Sequence, residues 1–280
     1  MNTPVMTKNE LIYGLNDKPA TPACLAAAFQ HMLASFVGVI TPTLIITASL
    51  DLLAHTAFLI SMALMVTGIG TFIQTKRIYK VGSGLVAIQG TSFAFISALI
   101  LAGAHVRQQG GSDEEVLAML FGLTIAGASI EIVFSFFVQY LRRIITPLTT
   151  GIVITAIGLS LINVGMTDLA GGFNASDFGN SSNLILGACV LIIIVFLNAS
   201  TNHWVRLSSI FIGMILGYFY VLLNGGIDLK HLATTPVFSL PAPFSYGIDF
   251  DVSLFVPVAL IYLFSAIETA GDLTANSQFL

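Results

Sequence analysis

Long apolar runs separated by short polar breaks dominate the chain from residue 23 onward. A membrane-spanning helix needs about 20 mainly apolar residues. Eight stretches approach that length: 23–49, 54–74, 81–102, 116–140, 147–164, 184–197, 210–223 and 254–270. The first holds Gly38 and Pro42, where it could break. The sixth and seventh are short. Residues 1–20 are polar, with Lys8, Glu10, Asp17 and Lys18. A cleavable signal peptide carries an apolar core close to its start, so the first apolar run is expected to stay as a membrane helix. The segments 165–183, rich in Gly, Asn and Ser, and 224–251, with Pro236, Pro241 and Pro243, are too short for soluble domains.

Composition supports this pattern. Hydrophobic residues are 56% of the 280, charged residues 9%, and the mean hydropathy is +0.92. A soluble domain carries about 25% charged residues. A net charge of −4 and two cysteines leave no basis for a nucleic-acid-binding or disulfide-stapled protein. Cys24 and Cys189 sit in apolar surroundings and read as small buried hydrophobes, not metal ligands.

The charges give the eight spans a direction. With the N-terminus inside, the cytoplasmic segments hold Lys8, Lys18, Lys76, Arg77, Lys80, Arg142, Arg143 and Arg206. The outer loops hold Arg107 and Lys230, together with most of the acids. Cytoplasmic loops are the ones enriched in Lys and Arg.

Three polar features lie inside the apolar runs. Glu268 and Asp272 are spaced i, i+4 and share one helix face with Ser265, Thr269 and Asn276. Each acid costs about 2.5–3.5 kcal/mol at a bilayer centre, so this stripe should face a cavity or another helix. Two carboxylates that close repel each other, which leaves one poised to hold a proton. The second feature is 81–96, VGSGLVAIQGTSFAFI. Gly82, Gly84 and Gly90 disfavour helix, so we expect an extended strand followed by a half-helix from Phe93, capped by Thr91 or Ser92. A kinked, glycine-packed helix is the simpler alternative. The third is Gln30-His31, with Ser35 one turn on. An intramembrane His is expected to face the interior, either bonded to a neighbouring helix or touching a ligand. Glu131 in the fourth span reads as an interhelical hydrogen-bond group, and His55, His105, His203 and His231 carry no assigned role.

These segments together resemble the nucleobase–cation symporter-2, or nucleobase–ascorbate transporter, family. The resemblance rests on Tyr13-Gly-Leu-Asn-Asp-Lys-Pro19, Gln30-His31, Phe36-Val-Gly-Val-Ile-Thr-Pro42, Gly68-Ile-Gly-Thr71, Val81-Gly-Ser-Gly-Leu85, Gln89-Gly-Thr-Ser-Phe-Ala-Phe95 and Glu268-Thr-Ala-Gly-Asp272, in order along the chain. It implies an all-α polytopic membrane protein with a strand–half-helix in the third segment, the first half of a 7+7 inverted-repeat transporter. Residues 1–20 would be a cytoplasmic segment, 21–225 the first repeat, 226–253 an outer loop and 254–280 the first span of an incomplete second repeat. It implies proton-coupled uptake of purine bases, xanthine or uric acid, through a bacterial inner membrane. Glu268, Phe93, Gln89, Ser92 and His31 would bind the base, and Glu268 and Asp272 would couple the proton. Glu-x-x-x-Asp resembles the xanthine and urate members, whereas uracil carriers resemble Glu-x-x-x-His. Ser92 stands where the family resembles Asn, which widens the expected choice among oxidised purines. A homodimer in the lipid bilayer is implied, without cofactor, metal or nucleic acid. The family's second strand–half-helix is not in the sequence, so the chain resembles a truncated product, expected not to transport alone.

Three other readings compete with this one. A uracil or other nucleobase symporter shares the same motifs. An anion carrier of related fold also uses strand–half-helix pairs, but should favour a cationic or neutral lining. A membrane enzyme would need metal-spaced His, a nucleophile elbow or a phosphate loop, and none is recognisable.

Overall fold

The computed structural model describes residues 17–141, 147–172, 175, 177–224 and 242–278. Lys8, Arg142, Arg143, Lys230, His231, Pro236 and Pro241 lie outside them, as does the start of the Tyr13–Pro19 motif. Among the described residues the chain is helical: α1 Thr21–Ser49, a 3₁₀ turn Leu53–His55, α2 Thr56–Lys76, a 3₁₀ turn Phe93–Phe95 running into α3 Ile96–Gln108, and α4 Asp113–Leu141. Then come α5 Pro147–Leu169, α6 Ser181–Asn198, the short α7 His203–Leu207, α8 Ser209–Leu223 and α9 Val252–Gln278.

Among the described residues, five helical stretches are long and apolar enough to cross a membrane: Thr21–Ser49, Leu53–Lys76, Asp113–Phe137, Ser181–Asn198 and Val252–Leu273. Phe93–Gln108 and Ser209–Leu223 are apolar but shorter. The sixth expected span thus lengthens to full size, while the seventh stays short. Apolar side chains cover the outside of the molecule, and neither α2 nor α6 buries a residue. A hydrocarbon solvent permits this, because the hydrophobic effect no longer drives such groups inward. The cysteines follow the same rule. Cys24 and Cys189 are both exposed on the apolar surface, not buried as their surroundings in sequence suggest.

The interior core gathers at one end of the molecule. Leu50 and Leu52 after α1, Ala98, Leu99, Ala102 and Val106 of α3, Leu117, Leu120 and Leu123 of α4, and Val258 of α9 form one cluster. Two helix pairs run parallel through it. Thr91 meets Val39 and Gly103 seats the Leu50 side chain, so α1 and α3 point the same way. Thr124 meets Tyr262 and Glu131 meets Ser265, so α4 and α9 do too.

Glycine allows the α4–α9 pair to close. A Cβ on Gly127 would lie 2.0 Å from the Tyr262 ring, and one on Gly122 would lie 1.7 Å from the Asp249 carbonyl oxygen. The Tyr262 hydroxyl donates to the Thr124 carbonyl at 2.8 Å. Asp251 caps α9: its carboxylate accepts from the Ser253 and Leu254 backbone N–H groups and from the Ser253 hydroxyl. Those bonds, the Ser253 hydroxyl foremost, hold the Asp251 carboxyl below its ordinary range.

A polar clasp ties the loops at this end. Arg107 donates to the Leu50 carbonyl through Nε and Nη2 at 3.3 and 3.2 Å, to the Gly111 carbonyl at 3.3 Å, and to Asp113. His55 bridges Asp113 at 3.3 Å and the Tyr246 hydroxyl at 3.0 Å. His55 therefore has a structural place that its sequence context does not reveal.

Candidate functional site

The site begins with a proline in α1. Pro42 has no N–H, so the carbonyl of Gly38 has no donor at i+4. The helix nonetheless continues unbroken from Thr21 to Ser49, against the expectation of a break at Gly38 to Pro42. The missing donor comes from another segment. The Thr91 hydroxyl donates to the Val39 carbonyl at 2.7 Å and reaches the Gly38 carbonyl at 3.4 Å. Freed backbone groups at membrane depth are tolerated when a neighbour satisfies them in this way.

Residues 81–92 form no helix, as their glycines predict. They also form no strand: among the described residues the backbone pairing is limited to an isolated Ile78–Val81 bridge. A strand requires a neighbouring ladder, and here the neighbours are helices. Side chains and single carbonyls hold the segment instead. Gly84 N–H donates to the Gln74 carbonyl at 2.9 Å, Gln89 N–H to the Thr71 hydroxyl at 3.0 Å, and Gln74 bonds Ser83. Gly82 has φ +91°, and a Cβ there would lie 2.4 Å from the Ile73 carbonyl oxygen, so no other residue fits. Of the two capping candidates, Ser92 is the cap: its hydroxyl accepts from the Ala94 N–H at 3.3 Å, and helical turns start at Phe93.

The tip of this half-helix opens on a cavity of about 770 Å³. That volume lies within the usual range for small-molecule sites, about 300–1,000 Å³. Ala87 to Phe95 form one part of the wall, Ser35, Gly38 and Val39 of α1 another, and Tyr262, Ser265, Glu268, Thr269 and Asp272 of α9 a third. Gly158 of α5 and Glu131 of α4 complete it. The stripe of α9 expected to avoid lipid therefore lines a cavity. Glu268 is partly buried, and Asp272, although it lines the cavity, stays exposed. The Asn276 side chain lies outside what the structure describes.

Five of the six residues singled out from sequence meet here: Gln89, Ser92, Phe93, Glu268 and Asp272. His31 does not. It is exposed and absent from the cavity wall, which corrects the expectation that it faces the interior. Consecutive helical residues point about 100° apart, and Gln30 takes the buried position instead. His31 touches the site through its backbone alone, its carbonyl accepting from the cavity-lining Ser35 at 2.9 Å. Glu131 does hydrogen-bond Ser265 of α9, as an interhelical group should, and it also lines the cavity, which its sequence context does not predict. Among the described residues the cavity wall carries three carboxylates and no Lys, Arg or His.

The comparisons with known proteins agree with the resemblance. The model of the permease family, that of the nucleobase–ascorbate transporters, matches residues 23–280. The xanthine permease XanQ of Escherichia coli K12 is 40% identical over 274 residues, covering 96% of this chain and 59% of that protein. The xanthine permease XanP of the same strain is 41% identical over 275 residues, with the same coverage. A xanthine permease of Bacillus subtilis is 30% identical over 249 residues, covering 88% of this chain and 55% of its own. The chain thus spans less than two thirds of the length of these relatives, and its match to them and to the family is continuous: the chain belongs to the nucleobase–ascorbate transporter family of permeases.

Proposed function

We propose that the protein carrying this chain is a secondary transporter, not an enzyme, that takes purine bases into the cell. Xanthine and uric acid are the proposed substrates, with uracil as the alternative to exclude. The single observation behind this reading is the one cavity whose wall carries Glu268, the Phe93 tip, Gln89 and Ser92 together. The ring N–H groups of an oxidised purine are donors, and a carboxylate is a strong acceptor for them. The N–H groups of the half-helix start, which have no partner within the helix, suit the carbonyl oxygens of the same ring. Glu268 and Phe93, with Gln89 and Ser92 at the edges, are the proposed binding residues.

The charge of the lining supports proton coupling. Three carboxylates without a cation repel one another in a medium of low dielectric, so a proton on one of them relieves the site. Glu268 and Asp272 are the proposed carriers of that proton. The same lining argues against a carrier of inorganic anions, which would place beside these acids an anion with no N–H to donate. His31 is proposed as a support through the Ser35 bond, not as a ligand contact. We further propose a homodimer in the bacterial inner membrane with a cytoplasmic N-terminus. In this reading residues 21–225 form the first of two inverted repeats.

Uptake of radiolabelled xanthine by cells expressing the full-length protein tests the reading, with urate, guanine and uracil as competitors. Glu268→Gln removes a charge-assisted acceptor, and uptake should fall at least about tenfold. Wild-type uptake in that variant, or a purine-independent chloride flux in vesicles, would remove the assignment.

A further inference from the structure

The α4–α9 seam closes without any charge. Tyr262 bonds the Thr124 carbonyl, its ring sits on Gly127, and leucines pack the far end. Glu131 is therefore not needed to join the helices. An acid at this depth is costly. It is nonetheless present, with its side chain on the cavity wall.

The Ser265 hydroxyl does not satisfy Glu131. It is one donor, whereas a carboxylate offers about four acceptor positions. Among the described residues no Lys, Arg or His on the cavity wall supplies the remainder. Ser265 and Glu268 are one turn apart on α9, about 5 Å along the axis. The Glu131–Ser265 pair and Glu268 thus line the same cavity, whose volume of about 770 Å³ holds a fused two-ring heterocycle.

We propose that Glu131, oriented by Ser265, is a specificity-determining residue: it accepts a hydrogen bond from a second N–H of the ring whose first N–H faces Glu268. The site then selects purines that keep both N–H groups and rejects those in which one is methylated. A site built around a hydrogen bond discriminates strongly against the analogue that lacks it, because the buried acceptor is left unpaired. This inference rests on the purine-carrier reading above.

The test uses the full-length protein, radiolabelled xanthine, and the 1-, 3-, 7- and 9-methylxanthines as competitors. Glu131→Gln should raise the KM for xanthine about tenfold or more, the loss of one charge-assisted bond, with a Vmax close to wild type. It should also shrink the preference for xanthine over one particular methylxanthine and leave the other preferences as they were. Glu131→Asp, which keeps the charge on a shorter arm, is the second variant should the Gln form not accumulate, and it should shift the same preference. Ser265→Ala should act in the same direction, more weakly. Unchanged KM and selectivity in the Glu131 variants overturn the inference, as does an equal loss of Vmax for every substrate, the mark of a purely structural role. If wild-type uptake and its loss in Glu268→Gln stand while Glu131→Gln is silent, only this inference falls. If the wild type carries no xanthine, both readings fall.

Discussion

The contacts that fix the site are single atoms placed by residues without side chains. Gly122 is the sharpest case, since its Cβ would press on backbone, which cannot rotate away as a side chain can. Alanine favours helix over glycine by up to about 1 kcal/mol. Overpacking costs about 1–3 kcal/mol, and more when the neighbour is rigid. The second effect wins, so Gly122→Ala should lower the melting temperature of the detergent-purified protein. Gly158→Ala is the control: its Cβ would meet nothing within 4 Å, although it lines the cavity. Equal melting temperatures for the two variants would refute the close approach of Asp249 to α4.

At the scale of elements, the pairing of Pro42 with Thr91 shows how a helix interior and a helix break depend on each other. Thr91→Val keeps the shape and removes the donor, which should destabilise by about 1–3 kcal/mol as the Gly38 carbonyl loses the donor that stands in for Pro42 and the Val39 carbonyl loses its second one. Pro42→Ala restores a backbone donor to Gly38. In that background Thr91→Val should cost less, a coupling of about 1 kcal/mol in a double-mutant cycle. Strict additivity would mean that the hydroxyl does not serve the proline gap. The sequence reveals both residues but not their meeting, 49 positions apart, because periodicity reports faces and not partners. It does reveal the break itself, since Gly82, Gly84 and Gly90 are local facts. It reveals the α9 stripe because two acids one turn apart are too costly to leave against lipid, so a polar surface must lie opposite them. His31 misleads because burial and adjacency in sequence differ by the angle of one residue on a helix. Glu131 is legible as a costly acid, yet which cavity it lines depends on how α4 and α9 pack, and only the fold supplies that.

For the whole molecule, the parallel pairs α1–α3 and α4–α9 put the ends carrying Leu50, Arg107, Asp113 and Asp251 at one face. Lys76, Arg77 and Lys80 lie at the opposite end of α2. The first group holds Arg107 beside acids and the second holds three cations, an excess of Lys and Arg of the kind that sets orientation during insertion. The two faces can be told apart by thiol chemistry on full-length protein in which Cys24, Cys189 and any other cysteines are replaced by Ser. A cysteine introduced at exposed Gln109 should react with a membrane-impermeant maleimide in spheroplasts. One introduced at exposed Lys80 should react only in inverted vesicles. The reverse pattern would invert the proposed topology and place the N-terminus outside. Added xanthine supplies a second reading. If the cavity opens and closes between the faces around a fixed site, as alternating access requires, ligand should change the labelling of a cysteine at Thr269, on the cavity wall. It should leave the rates at positions 80 and 109 unaltered. Equal effects at all three positions would mean that the ligand loosens the whole molecule and does not occupy the cavity lined by Glu268.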